Sequence, residues 1–137
     1  ARESLLEALH ALGHDQPHPG LAIHHLRSQP GAKTVFVLPG QGAQYPGMAA
    51  DLYNHHRGFA AALDECDQAL QPYTGWSVRE VITQHHNAPS LDRVDVVQPV
   101  LFAVMVALAE TLRGYGITAD AVIGHSQGEI AAAYIAG

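Results

Sequence analysis

The sequence predicts an α/β fold with a mainly parallel sheet and flanking helices, because two apolar strand-like runs are separated by a long helical stretch. Thr34-Val35-Phe36-Val37-Leu38 is an unbroken β-branched and aromatic run, the pattern of a strand covered on both faces of a parallel sheet. Ala121-Val122-Ile123 is a second, shorter run, closed by Gly124 and followed by an Ala-rich, helix-forming stretch over residues 127–136. Two strands are visible in this way. At 137 residues, 47% hydrophobic and 15% charged, the chain is long enough for one core, and the expectation is one domain or part of one.

Taken in order, Leu5, Leu6, Leu9 and Leu12 fall on one face of an opening helix that Gly13 stops. Pro17, Pro19, Gly20, Pro30 and Gly31 then mark a linker, so residues 1–33 read as an interdomain connection and residues 34–137 as the domain proper. The first strand ends abruptly at Pro39-Gly40-Gln41-Gly42. Beyond it, Phe59, Leu63, Cys66 and Leu70 repeat every three or four residues, an apolar stripe on a helix that Pro72 is expected to end. Ser77-x-x-Glu80 matches a capping box opening a short helix through Val81 and Ile82. After a polar loop at Asn87, Pro89 and Ser90, a long helix is expected over residues 98–113, with Pro99 in its first turn and Gly114 and Gly116 ending it. Tyr53, Tyr73, Trp76 and Phe102 read as packing residues.

Charge excludes several functions. The formal net charge of −6 is spread along the chain, and no basic face exists to neutralise nucleic acid or an anionic membrane. The longest apolar stretch, residues 96–109, is broken by Gln98 and Pro99 and falls short of the roughly 20 residues of a bilayer span. Cys66 is the single cysteine, which rules out an internal disulfide and fits a reducing compartment. Ala1-Arg2-Glu3 carries no export signal, so the expected location is cytoplasmic, and the chain reads as a piece of something longer.

Two motifs carry chemistry. Gly124-His125-Ser126-Gln127-Gly128 matches the nucleophile elbow G-x-S-x-G in the strand-to-helix context that the motif requires. Small neighbours let strand and helix approach closely, and the helix N-terminus beside Ser126 offers unpaired N–H groups to an oxyanion, Gln127 first. Pro39-Gly40-Gln41-Gly42-Ala43-Gln44 stands at the carboxyl end of the other strand, where open α/β sheets bind ligands. It is not a dinucleotide or phosphate loop, since Tyr45 stands where G-x-G-x-x-G needs glycine and no Gly-Lys-Ser/Thr follows. The pairs His24-His25, His55-His56 and His85-His86 do not converge as metal ligands should, and solvated loop or helix-end positions explain them. His125 adjoins the serine but points elsewhere, and Glu129 favours the helix dipole. Asp51, Asp64 and Glu65 read as solvated helix faces.

These motifs, with Gln98-Pro99-Val100-Leu101-Phe102 between them and Gly128-Glu129-Ile130-Ala131-Ala132-Ala133 after the serine, resemble the opening half of malonyl/acyl-CoA:carrier-protein transacylases, over residues 33–137. The version most similar is the acyltransferase domain of type I polyketide synthases. The resemblance implies the larger, hydrolase-like subdomain in incomplete form, with a ketosynthase-to-acyltransferase linker before it. It implies Ser126 as the acylated nucleophile, the backbone N–H groups of Gln41 and Gln127 as the oxyanion hole, and Gln98 lining the site. No bound cofactor or metal is implied; acyl-CoA is the donor, and the phosphopantetheine thiol of an acyl carrier protein, with adjoining synthase domains, is the acceptor side. The family's base histidine and carboxylate-gripping arginine are expected beyond Gly137, which would leave these residues alone nearly inert. Gln after the serine accompanies methylmalonyl preference in this family.

Two other readings stand beside it. A serine esterase or lipase shares G-x-S-x-G. A truncated or docking fragment without catalysis is the other, with poor solubility as its signature, because a sheet missing strands exposes apolar faces.

Overall fold

A computed structural model describes residues 2–21 and 31–137. The chain divides into two compact units, residues 1–32 and 33–137. In the first, α1 spans Arg2–Gly13 and closes with the Gln16 amide donating to Ala11 O at 2.8 Å. The leucine face foreseen there is present, and Leu5, Leu6, Leu9 and Leu12 are all exposed. His24 and His25, and Pro30 of the linker segment, lie outside the described residues.

In the second unit, β1 (Val35–Leu38) and β2 (Ala121–Gly124) pair in parallel, with Val35 opposite Ala121 and Leu38 opposite Gly124. Between them run α2 (Ala50–His55), α3 (Arg57–Thr74), α4 (Val78–Ile82) and α5 (Val94–Gly114), and α6 (Gly128–Ala136) follows β2. The strands' pairing is set at its start by Asp120, whose carboxylate accepts from Thr34 N at 2.8 Å and from Lys33 Nζ at 3.1 Å. The core lies between α3, α4 and α5, where Phe59, Leu63, Val78, Ile82, Val96, Val97 and Val100 are fully buried. Leu38, Ala131 and Ala132 join it from β1 and α6.

Four expectations are corrected. The strands are covered on one face only. Alternation sends Phe36, Leu38 and Val122 towards the core, and Val35, Val37 and Ile123 to an open face. Pro72 does not end α3; that helix continues to Thr74 and closes at Gly75 (φ 73), whose N–H donates to Gln71 O at 2.9 Å. A proline so near the C-terminus disturbs only the last turn, and glycine's tolerance of left-handed φ supplies the stop. The long helix begins at Val94, with Pro99 in its second turn, because the apolar positions Val96 and Val97 are already needed in the core. Tyr73 is 89% exposed and packs on nothing central, whereas Tyr53, Trp76 and Phe102 border the core.

Candidate active site

Only three residues separate the end of β2 from the start of α6, and Ser126 at their middle has φ 54. A left-handed backbone at a residue with a Cβ costs roughly 1–2 kcal/mol and persists only where the surroundings impose it. Here three turn bonds impose it: Gly128 N to His125 O at 2.9 Å, Glu129 N to Ser126 O at 3.0 Å, and Ile130 N to Gln127 O at 3.1 Å. The flanking glycines are steric necessities. A Cβ on Gly124 would overlap the backbone of Glu129, and one on Gly128 would overlap Leu38 O and lie 2.6 Å from Pro39 O. The spacing G-x-S-x-G therefore lets α6 start directly over the ends of both strands, with Ser126 exposed on the bend.

The loop after β1 comes to the same place. A Cβ on Gly40 would stand 3.0 Å from His125 Nδ1 and 3.3 Å from the Cβ of Ser126, so glycine lets this backbone come near the serine without crowding it. His125 N donates to Leu38 O at 3.0 Å, extending the strand pairing by one bond. Gln127 Nε2 donates to Pro39 O at 3.4 Å, and Gly42 N (φ 128) donates to Gln44 Oε1 at 2.8 Å. The amides of Gln41, one peptide from Gly40, and of Gln127, next after the serine, have no acceptor among the described residues. Nor has the Ser126 hydroxyl a partner there. One exposed hydroxyl, two free backbone donors from separate loops and the N-terminal end of α6 make a site suited to an attacking alcohol and a developing oxyanion.

The remaining predicted residues fall as follows. Gln98 is exposed in α5, with no hydrogen bond to the elbow among the described residues. Glu129 occupies the first turn of α6. His125 makes no hydrogen bond with Ser126, and no imidazole among the described residues bonds its hydroxyl. Cys66 is buried in the core, which pushes its thiol up to about 11, with Glu65 and Glu110 adding to the shift. His55 and His85 and His86 are exposed, whereas His56 has a structural role: its Nδ1 accepts from Phe59 N at 3.0 Å as the cap of α3, and its Nε2 meets Tyr115 Oη at 3.0 Å. Asp64, expected to be merely solvated, accepts from Tyr53 Oη at 3.0 Å. The cross-loop bond of Gln127 and the closure of Gly42 by Gln44 were not foreseen; the string Pro39 to Gln44 was the signal that could have found the second.

The family model described as acyl transferase domain matches residues 35–137. The chain belongs to the acyl transferase domain family. Among the relatives of this acyl transferase sequence, polyketide synthase GfsA of Streptomyces halstedii is 52% identical over 138 residues, covering 99% of this chain and 2% of its own length. Mycoketide-CoA synthase of Mycobacterium tuberculosis is 49% identical over 136 residues, again 99% of this chain and 3% of that protein. The acyltransferase domain from module 8 of the salinomycin polyketide synthase superposes over the whole chain with a TM-score of 0.82 at 50% identity, and the chain spans 32% of it. The acyltransferase domain of SpnD, solved with 2-(pent-4-yn-1-yl)malonyl, is 34% identical with a TM-score of 0.78, over 97% of this chain and 30% of that one. The acyl transferase chain thus spans a few per cent of the curated synthases and about a third of the solved domains it matches.

Proposed function

We propose that this chain supplies the nucleophile and oxyanion donors of a polyketide synthase acyltransferase. Ser126 Oγ attacks the thioester carbonyl of a malonyl-type acyl-CoA, the C–S bond breaks, and CoA leaves as the thiol with the serine proton. The phosphopantetheine sulfur of an acyl carrier protein then attacks the Ser126 ester, the C–O bond breaks, and the hydroxyl is restored. The N–H groups of Gln41 and Gln127 hold the oxyanion in both halves, and Gln98 lines the approach. The observation that carries this reading is the left-handed Ser126, with the backbone of Gly40 packed against its Cβ.

The base and the carboxylate clamp are a histidine and an arginine of the same polypeptide beyond position 137. Glutamine after the serine accompanies methylmalonyl preference in this family, so the proposed extender is methylmalonyl. Residues 1–33 form the linker from a ketosynthase; the division of the chain after Ala32 and the family match from residue 35 support that boundary. The synthase works in the cytoplasm. The domain family and the oxyanion loop favour thiol transfer over an esterase.

The test is to incubate the full-length polypeptide with labelled methylmalonyl-CoA and map the adduct. An ester on the peptide holding Ser126, absent from Ser126→Ala and discharged by carrier protein, is expected. Label elsewhere, or simple ester hydrolysis without thiol transfer, would reject the reading.

A further inference from the structure

In the acyl-transfer reading the two oxyanion donors come from loops that are 86 residues apart in sequence, and holding both on one oxyanion calls for something that ties one loop to the other. Backbone pairing between the strands ends with His125 N on Leu38 O. Beyond that point, Gln127 Nε2 to Pro39 O at 3.4 Å is the one hydrogen bond among the described residues that joins loop 39–44 to the elbow. Gln127 is 7% exposed, in a turn whose neighbours His125, Ser126 and Glu129 are all exposed. It is one of three buried polar residues among those described, and the other two, Asp67 and Ser77, bond each other. Within the loop, Gln44 Oε1 takes the Gly42 amide, so among the described residues the hydrogen bond reaching across is that of Gln127, added to the close packing of Gly40 and Gly128.

We propose that Gln127 is a positioning residue for acyl transfer, its side-chain carboxamide pinning the Pro39-Gly40-Gln41 backbone to the elbow so that the amides of Gln41 and Gln127 stay convergent on one oxyanion. The inference rests on the acyl-transfer reading of Ser126. The carboxamide is turned onto Pro39 O and buried, whereas the serine hydroxyl is exposed, so it acts through the loop and not on substrate. Losing the bond therefore slows the chemical step and leaves acyl-CoA binding alone.

The experiment is single-turnover acylation of Ser126 by methylmalonyl-CoA in the full-length polypeptide, comparing wild type with Gln127→Leu and Gln127→Glu. Removing an oxyanion donor outright costs about 10²- to 10³-fold; loosening one should lower the acylation rate constant about tenfold in Gln127→Leu, with half-saturating acyl-CoA changed less than about twofold. Amide exchange at Gly42, whose N–H is held by Gln44 Oε1 within the loop, should quicken in that variant. Gln127→Glu separates positioning from packing. A buried carboxyl can donate to Pro39 O only when protonated, so its rate relative to wild type should rise as pH falls. An unchanged rate in Gln127→Leu, a rise confined to the half-saturating concentration, or a pH-independent ratio for Gln127→Glu overturns the positioning role. A wild type that forms no ester at Ser126 overturns the acyl-transfer reading as well, whereas an ester formed equally fast by every variant overturns positioning alone.

Discussion

A methyl group at Gly124 or Gly128 would meet backbone atoms, which cannot rotate away as a side chain can. Gly128→Ala is accordingly expected to destabilise the protein by about 1–3 kcal/mol, read as a shift in urea midpoint at unchanged slope, and to slow acylation because α6 must lift off the strand ends. The bend that presents Ser126 was legible in the sequence for the same reason: the elbow is a local device, written in five consecutive residues with their steric demands. The close approach of the loop at Gly40 was signalled by the glycines on either side of Gln41. What stayed hidden is the bond of Gln127 to Pro39 O, since a pair so far apart leaves no periodic trace. Cys66 offers a second test at this scale. With its thiol pushed up to about 11 by burial, only about 0.1% is thiolate at pH 8 even where reagent can reach it. Folded protein should resist alkylation at that pH, and the rate should jump on adding urea; prompt labelling without denaturant would contradict the buried placement.

Among the elements, α4 is too short to hold itself and depends on its first turn. Ser77 Oγ accepts from Glu80 N at 3.3 Å, the half of the capping box that the sequence announced. The other half is replaced by the buried Asp67, which accepts from Ser77 Oγ at 2.8 Å and from Val78 N at 2.5 Å. Ser77→Ala should therefore cost about 1–2 kcal/mol, and Asp67→Asn should be non-additive with it in a double-mutant cycle, since both remove one network. The two prolines show why boundaries were harder to foresee than elements. Pro72 and Pro99 each forbid one helical bond, but near a helix end that loss is small against the burial of Leu63 and Cys66 or of Val96 and Val97. The start of the sheet titrates. Thr34 N–H, and after it Lys33, hold the Asp120 carboxyl below its ordinary 3.8. A carboxyl lowered in the folded state stabilises above its unfolded value, and that stability is lost as pH falls through the folded value. The unfolding temperature should drop below about pH 3.8, and Asp120→Asn should flatten part of that drop.

The molecule as a whole carries an asymmetry that no single motif announced. β-branched runs in both strands pointed to a sheet buried on two sides, and the residue types still fit that, but the 137 residues supply helices for one side only. Register places Val35 opposite Ala121 and Val37 opposite Ile123, so these four share the open face. Val37 is 71% exposed and Ile123 57%, and on α6 Ile130 and Tyr134 are exposed as well. An apolar sheet face with free strand edges attracts further apolar surface, by burial at roughly 25 cal/mol per Å² and by unpaired backbone groups. Expressed by themselves, these 137 residues should bind a hydrophobic dye and self-associate with rising concentration. The double substitution Val37→Thr and Ile123→Thr, which keeps β-branching and touches none of the core residues, should suppress both while leaving the unfolding midpoint within about 0.5 kcal/mol of wild type. Sedimentation across a concentration series decides the matter: a monomer at all concentrations before substitution would mean that the open face is already covered, and an unfolded doubly substituted chain would mean that its packing contributes more than the exposures indicate.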